Sequence, residues 1–282
     1  YPAKEGKGGG RVPLPMDWMA DQLRSFSGIC LDIRRHRSKL IDALEAAYPL
    51  CYKVGLPADL DDINRYAPSM FHTHMPTYMR VKDFEEVYLP TWKRQLEDYS
   101  SLGMRCGAFL EENWTELLDY VQDFPTGMHI TFEYGDPVKF KEKLGGKHIL
   151  HGGFPLQNLT MCTKAEVIDK TKEWLDIMAP GGGYIFSFDK APLTFGDINL
   201  ENLEAVTQTV LDYGVYDTPG AQTGEVFNKA DYQHSNTPSF QSRAYLSWEE
   251  YLTRYPNTPE SAKKRVMDAE DALLKMLIKL SC

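Results

Sequence analysis

Three short stretches place acids or an imidazole at the ends of apolar runs. Glu111 and Glu112 follow residues 104–110, Glu133 follows residues 129–132, and His151 follows residues 147–150. Two carboxylates and one imidazole, with a fourth position left open, make up the ligand set of a catalytic zinc site. Glu111 and Glu112 are adjacent, and neighbours on a strand face opposite ways, so one of the two is expected to face a pocket. A plainer chemistry competes: a glutamate at a strand end is usually solvated or paired with a cation, and His151 can be a structural hydrogen-bonder. A fourth stretch, His72-Thr73-His74, puts imidazoles at i and i+2 on one strand face, suited to lining a substrate or to binding metal. Asp189 and Lys190 follow another apolar run, residues 184–188, and either orient substrate or form a salt bridge.

These residues are far apart in sequence, so only a particular architecture can bring them together. Residues 16–52 read as helical, with Trp18, Met19, Leu23 and Phe26 and then Ile29, Ile33, Leu40 and Leu44 at helical spacing; Ser38 is a candidate cap. Residues 81–101 form an amphipathic helix with Phe84, Tyr88, Trp92, Leu96 and Tyr99 on one face, ended by Gly103. Strands then alternate with helices. The strands end near Phe71 and cover 104–110, 129–132, 147–150 and 184–188; the helices cover 115–121, 137–144, 164–179 and 200–213. Five strand–helix units in a row predict five parallel, sequential neighbours with helices outside, as in a β/α barrel. A doubly wound sheet is the alternative, and no G-x-G-x-x-G supports it. In a barrel every strand's carboxyl end opens on one face, where active sites sit.

Residues 1–213 are therefore expected to hold the five units and a preceding helical lid, with the first fifteen residues as a loop. Residues 214–282 are expected to form an extended arm and two helices, 247–253 and 259–280, packed on the barrel. The long aperiodic stretch 215–246 reads as an ordered, functional surface segment.

Composition narrows the function. The chain is 43% hydrophobic and 25% charged, and its net charge of −9 comes with no Lys/Arg run longer than three residues. That disfavours nucleic acid as a partner and, more weakly, a substrate bearing many carboxylates. No apolar run approaches the ~18 residues of a membrane span. The five cysteines, Cys30, Cys51, Cys106, Cys162 and Cys282, are odd in number and include no C-x-x-C, which fits a reducing, cytoplasmic setting. The start lacks an apolar leader and an initiator methionine, so a fragment or a processed chain is expected.

Four motifs carry a family resemblance. The helix at Lys82-Asp83-Phe84-Glu85-Glu86-Val87-Tyr88-Leu89-Pro90, the turn His151-Gly152-Gly153-Phe154-Pro155, the strand Gly183-Tyr184-Ile185-Phe186-Ser187 and the helix start Asp197-Ile198-Asn199-Leu200-Glu201-Asn202-Leu203 resemble, in order and spacing, the uroporphyrinogen decarboxylase superfamily across residues 16–213. The resemblance implies a parallel (β/α)8 TIM barrel, of which this chain begins within or after the third strand. A partner N-terminal barrel segment is thereby expected. The late histidine of the porphyrinogen decarboxylases is absent from Ser187-Phe188-Asp189-Lys190. The thiolate and imidazole zinc ligands of the coenzyme M methyltransferases are replaced by Phe109, Glu111 and Asp189 or Lys190.

The order Glu, Glu, His instead resembles the anaerobic O-demethylase methyltransferases. This branch implies zinc on Glu111, Glu133 and His151, with Glu112 as the alternative to Glu111, and Asp189 as a further catalytic residue. It implies His72, His74, Tyr78, Phe154 and Lys190 as substrate-binding, with Met75, Met79 and Trp114 as apolar lining. The implied reaction moves a methyl group from a small-molecule ether or similar donor to a corrinoid held by a partner protein. Two alternatives remain: a metal-free decarboxylase or related lyase using Arg11, Arg80 and Lys190 as cations, and a barrel fragment that acts only within a larger assembly.

Overall fold

The computed structural model describes residues 10–56, 68–216, 218, 224–236, 240 and 246–280. Its centre is one sheet of six parallel strands in sequence order: β1 (Gly10–Val12), β2 (Ser69–Thr73), β3 (Cys106–Asn113), β4 (His129–Tyr134), β5 (Ile149–Gly152) and β6 (Tyr184–Ile185). Parallel neighbours require crossovers, which helices supply. Between β1 and β2 run α1 (Pro15–Trp18), α2 (Phe26–Arg35) and α3 (Arg37–Gly55); between β2 and β3 run α4 (Val81–Asp83) and α5 (Leu89–Ser101). Then come α6 (Leu118–Gln122), α7 (Pro137–Leu144), and α8 (Asn158–Met161) with α9 (Lys164–Met178), each set before the next strand. After β6 follow α10 (Leu200–Tyr213), α11 (Trp248–Arg254) and α12 (Lys263–Leu280). The five expected strands are parallel neighbours in the expected order.

Two expectations at the N-terminal side are corrected. The first fifteen residues are not all loop, because Gly10–Val12 pairs along β2 with Val12 opposite Phe71. Three residues are too few to show alternation; the strand forms because Val12 and Leu14 bury against the neighbouring core. The helical stretch 16–52 is also broken. A π-helical turn, Met19–Arg24, ends at Ser25, whose φ of 66° lies in the left-handed region, and the chain breaks again at His36. Ser25 caps α2 by accepting from the Gly28 N–H, whereas Ser38 lies inside α3. Neither break carries Gly or Pro, so the apolar spacing runs through both unmarked.

The register sorts the strands into two faces. Val12, Phe71, Ala108, Ile130, Leu150 and Tyr184 align across the sheet, and all are buried. This face packs on helices: Phe71 stacks on Tyr99 of α5, Phe132 on Phe140 of α7, and Tyr184 bonds Trp174 of α9. The opposite face carries the next aligned set, His72, Phe109, Thr131, His151 and Ile185. These residues are half-buried, and Ile185 is exposed. A parallel sheet is ordinarily covered on both faces. The described residues cover one fully and the other only partly.

Residues 224–236 form part of the arm and lie against the amino ends of the strands. Thr126 N–H donates to the Tyr232 hydroxyl at 2.8 Å, Arg105 stacks over the Phe227 ring, and Ser235 donates twice to Asp98. These residues thus sit at the end of the sheet opposite the candidate site. Among the described residues no helix is long and apolar enough to cross a membrane, and Cys30, Cys51, Cys106 and Cys162 are free thiols.

Candidate functional site

The carboxyl ends of β2 and β3 hold a connected polar network. His74 stands just beyond β2, and its Nδ1 bonds the Glu111 carboxylate of β3. A carboxylate only accepts, so Nδ1 carries the proton and Nε2 is the nitrogen left over. Nε2 faces Asp21 of the π-helical turn at 3.9 Å. Behind His74 lies Asp17 of α1, which is 3% exposed. One of its oxygens accepts from the N–H groups of His74 at 3.0 Å and Met75 at 2.9 Å, and the other from the Tyr88 hydroxyl. Burial pushes the Asp17 carboxyl up to about 6, while the bonds from Tyr88 and Met75 pull against that rise. Asp21 is raised as well, by partial burial first; nearby His74 lowers it and Glu111 raises it.

Register explains why Glu111 meets His74: with His72 opposite Phe109 and Thr73 opposite Leu110, Glu111 is the next β3 residue on the His72 face. The register between β3 and β4 shifts between Leu110 and Asn113, and Glu112 has a φ of 64°. A bulge of this kind re-aims side chains, and a left-handed non-glycine residue costs on the order of 1 kcal/mol or more. Glu111 turns to His74, its carbonyl accepts from Trp114 Nε1, and the Glu112 side chain is exposed. His72 stacks beside His74 with ring centroids 6.2 Å apart. Tyr78 is exposed and meets Phe26 edge-on.

At β4–β6 the functional groups are tied up locally. Glu133 accepts from the Glu112 N–H at 3.1 Å, and His151 Nδ1 bonds Thr131 Oγ1 at 3.0 Å. Burial lowers the His151 pKa; it also lowers that of His129 on the same face, where His151 and Arg105 add to the effect. Asp189 is buried and accepts from the N–H groups of Leu156 and Lys190, shaping the loop after β6. Lys190 donates to the Tyr134 hydroxyl at 2.8 Å, which raises its pKa. Gly152 and Gly153 both take positive φ, and a Cβ on Gly153 would meet the Phe132 ring at 2.3 Å. That tight turn drives Phe154 into a second core cluster with Leu156 and Leu159.

Glu111, Glu133 and His151 each bond a different neighbour, and among the described residues no three His, Cys, Asp or Glu side chains gather where one metal ion could sit. His74 cannot bring Glu111 and Asp21 to one ion either, because they meet opposite ring nitrogens. The donor set therefore does not fit the expected zinc. Met75, Trp114 and Phe154 are fully buried core residues. Asp17, Asp21 and Tyr88 were not among the expected site residues. One signal was available: Asp17 is a charged residue set among Met16, Trp18 and Met19. No protein-family model matches the chain, and no curated protein matches it significantly.

Proposed function

We propose that this chain is the larger part of a (β/α)8 barrel of the uroporphyrinogen decarboxylase type, and that its strand-exit mouth moves a methyl group from an ether-type donor to the corrinoid of a partner protein. Sequential all-parallel order, helices on one face and a half-buried polar face opposite support a barrel arc. Further strands, from the N-terminal segment the family resemblance implies, would cover that face and pair with the edges β1 and β6. The resemblance supports the reaction class, and a reducing cytoplasmic setting belongs to the same reading.

An ether oxygen leaves poorly unless its developing charge is neutralised. With the donor set unsuited to zinc, the neutralising group in this reading is a proton. The His74–Glu111 pair is the observation that carries it, because it holds a half-exposed imidazole at the mouth with Nε2 unclaimed by Glu111. As the methyl carbon passes to the partner's cobalt, the C–O bond breaks, its electron pair stays on oxygen, and the Nε2 proton of the imidazolium moves to that oxygen. Positioned acids of this kind contribute roughly 10²–10⁴-fold. Tyr78, His72, His151 and Lys190 would orient the donor around this point.

The decarboxylase alternative needs cations at the mouth. Arg80 is bonded to Asp83, Lys190 contacts Tyr134, and Asp21, Glu111, Glu112 and Glu133 make the surroundings acidic. Incubating the protein with cob(I)alamin and a panel of methoxylated aromatics tests the choice. Methylcobalamin should form with the native chain and not with His74→Gln. Carbon dioxide release from carboxylated substrates without methylcobalamin would overturn methyl transfer in favour of the lyase.

A further inference from the structure

We propose that Asp17, Tyr88 and Asp21 complete the His74–Glu111 pair as one proton-handling unit, with Asp17 as the positioning residue that aims the imidazole and Asp21 as the carboxylate that exchanges the proton at its second nitrogen. The unit rests on the methyl-transfer reading only for which group receives the proton.

Asp17 is an unusual core residue. A carboxylate buried to 3% exposure is costly unless its hydrogen bonds are satisfied. Its three donors define its role: the turn leaving β2 points the N–H groups of His74 and Met75 inward, Asp17 takes both, and Tyr88 occupies the remaining oxygen. His74 is therefore fixed twice, from behind through its backbone and in front through Nδ1 on Glu111. An imidazole held at both points has one orientation, and that orientation presents Nε2 to Asp21 at 3.9 Å. The gap is too long for a direct hydrogen bond, and a water or reacting oxygen that bonds both groups sits to one side of the line joining them.

The groups facing His74 are Glu111 from β3, Asp21 from the π-helical turn, Asp17 from α1 and His72 from its own strand. Three of the four are acids. When the Nε2 proton leaves, the neutral ring keeps its Nδ1 proton on Glu111. Asp21, half-exposed at the edge of the mouth, then takes a proton from the buffered solvent, whose conjugate base stays in solution, and passes it to Nε2. No other co-reactant is needed.

The test uses ring ¹⁵N NMR on the full chain and leaves activity aside. In its neutral form His74 should be the Nδ1–H tautomer, whereas free histidine prefers Nε2–H. Asp17→Asn should turn this single tautomer into a mixture, and Tyr88→Phe, which removes only one hydroxyl, should do so in part. Asp21→Asn should keep the tautomer but speed carbethoxylation of Nε2 by diethylpyrocarbonate several-fold near pH 6.5, with exposed His36 as the internal control. A tautomer mixture in the native protein, or a pure Nδ1–H ring in both folded Asp17 and Tyr88 variants, overturns the positioning role. An unchanged carbethoxylation rate in Asp21→Asn overturns the exchange role. A native ring held as Nδ1–H in a protein that makes no methylcobalamin would sink methyl transfer and leave the unit standing.

Discussion

The two halves of the strand-exit mouth are built from similar residues and organised differently. At β2–β3 two acids from the segment after β1, an imidazole from β2 and an acid from β3 form one connected network. At β4–β6 Glu133 takes a neighbouring backbone N–H, His151 takes a threonine hydroxyl, and Asp189 takes two loop N–H groups. The first arrangement couples groups that are far apart in sequence, so a change at one should move the others. The second is four bonds at three groups that do not connect with one another. Residue type at a strand end therefore says little about chemistry until the partner of each group is known.

The largest expected contrast is in activity. His74→Gln removes the proposed acid and should lower the rate of methylcobalamin formation by roughly 10²–10⁴-fold. Glu133→Gln, in the other half, should change it by less than about 10-fold, since its carboxylate accepts from the Glu112 N–H and has no bond to the His74 network among the described residues. Equal losses would erase the distinction between the halves. Stability should follow the same order. Asp17→Ala leaves two inward N–H groups and a buried hydroxyl without an acceptor, and should cost about 3–5 kcal/mol in urea unfolding. Glu133→Ala should cost within about 1 kcal/mol.

Much of the scaffold was legible before the structure, and for a physical reason. Strands such as His129–Tyr134 and helices such as Pro137–Leu144 and Leu200–Tyr213 carry periodic apolar residues between turn signals. The site was legible only as a set of strand ends. Glu111 was singled out, but its partner depends on the β2–β3 register that sets it level with His74, and register leaves no mark in periodicity. Gly10–Val12 was hidden because pairing, rather than propensity, makes it a strand. Asp17 and Asp21 were hidden because the helical spacing around them suggested a continuous helix, whereas Ser25 and the π-helical turn give that segment its actual path.

The pH dependence of stability should separate the halves next. Asp17 is raised from 3.8 to about 6 by burial. Between these values the unfolded chain has already lost the proton that the folded chain keeps, so stability falls as pH rises through the window, by up to ~3 kcal/mol. Asp17→Asn should remove that slope. His129 and His151 are lowered by burial from the ordinary 6.5, so the unfolded chain binds protons first as pH falls. Their contribution is present above pH 6.5 and is lost on acidification, the opposite direction. His148, buried behind the sheet and lowered to about 4, adds to the same slope. Urea midpoints measured from pH 4 to 7 on the native chain, Asp17→Asn and His151→Ala should resolve the two signs. A native-minus-Asp17→Asn difference that stays flat would detach Asp17 from the loss of stability as pH rises from about 4 to 6.

The smallest effect tests whether the β4–β6 half is as loosely coupled as it looks. Thr131→Val keeps the side chain's shape and strand preference and deletes only the hydroxyl that meets His151 Nδ1 at 3.0 Å. Both residues are half-buried on the incompletely covered face, so water can replace the lost partner. The expected cost is about 0.5–1 kcal/mol, the net worth of one ordinary hydrogen bond. The His74 ring, two strands from Thr131, should keep its tautomer in ¹⁵N spectra. If Thr131→Val instead cost as much as Asp17→Ala, or disturbed the His74 tautomer, the two halves would be one network. Proton handling would then have to be assigned to the whole rim of the sheet rather than to the β2–β3 exit.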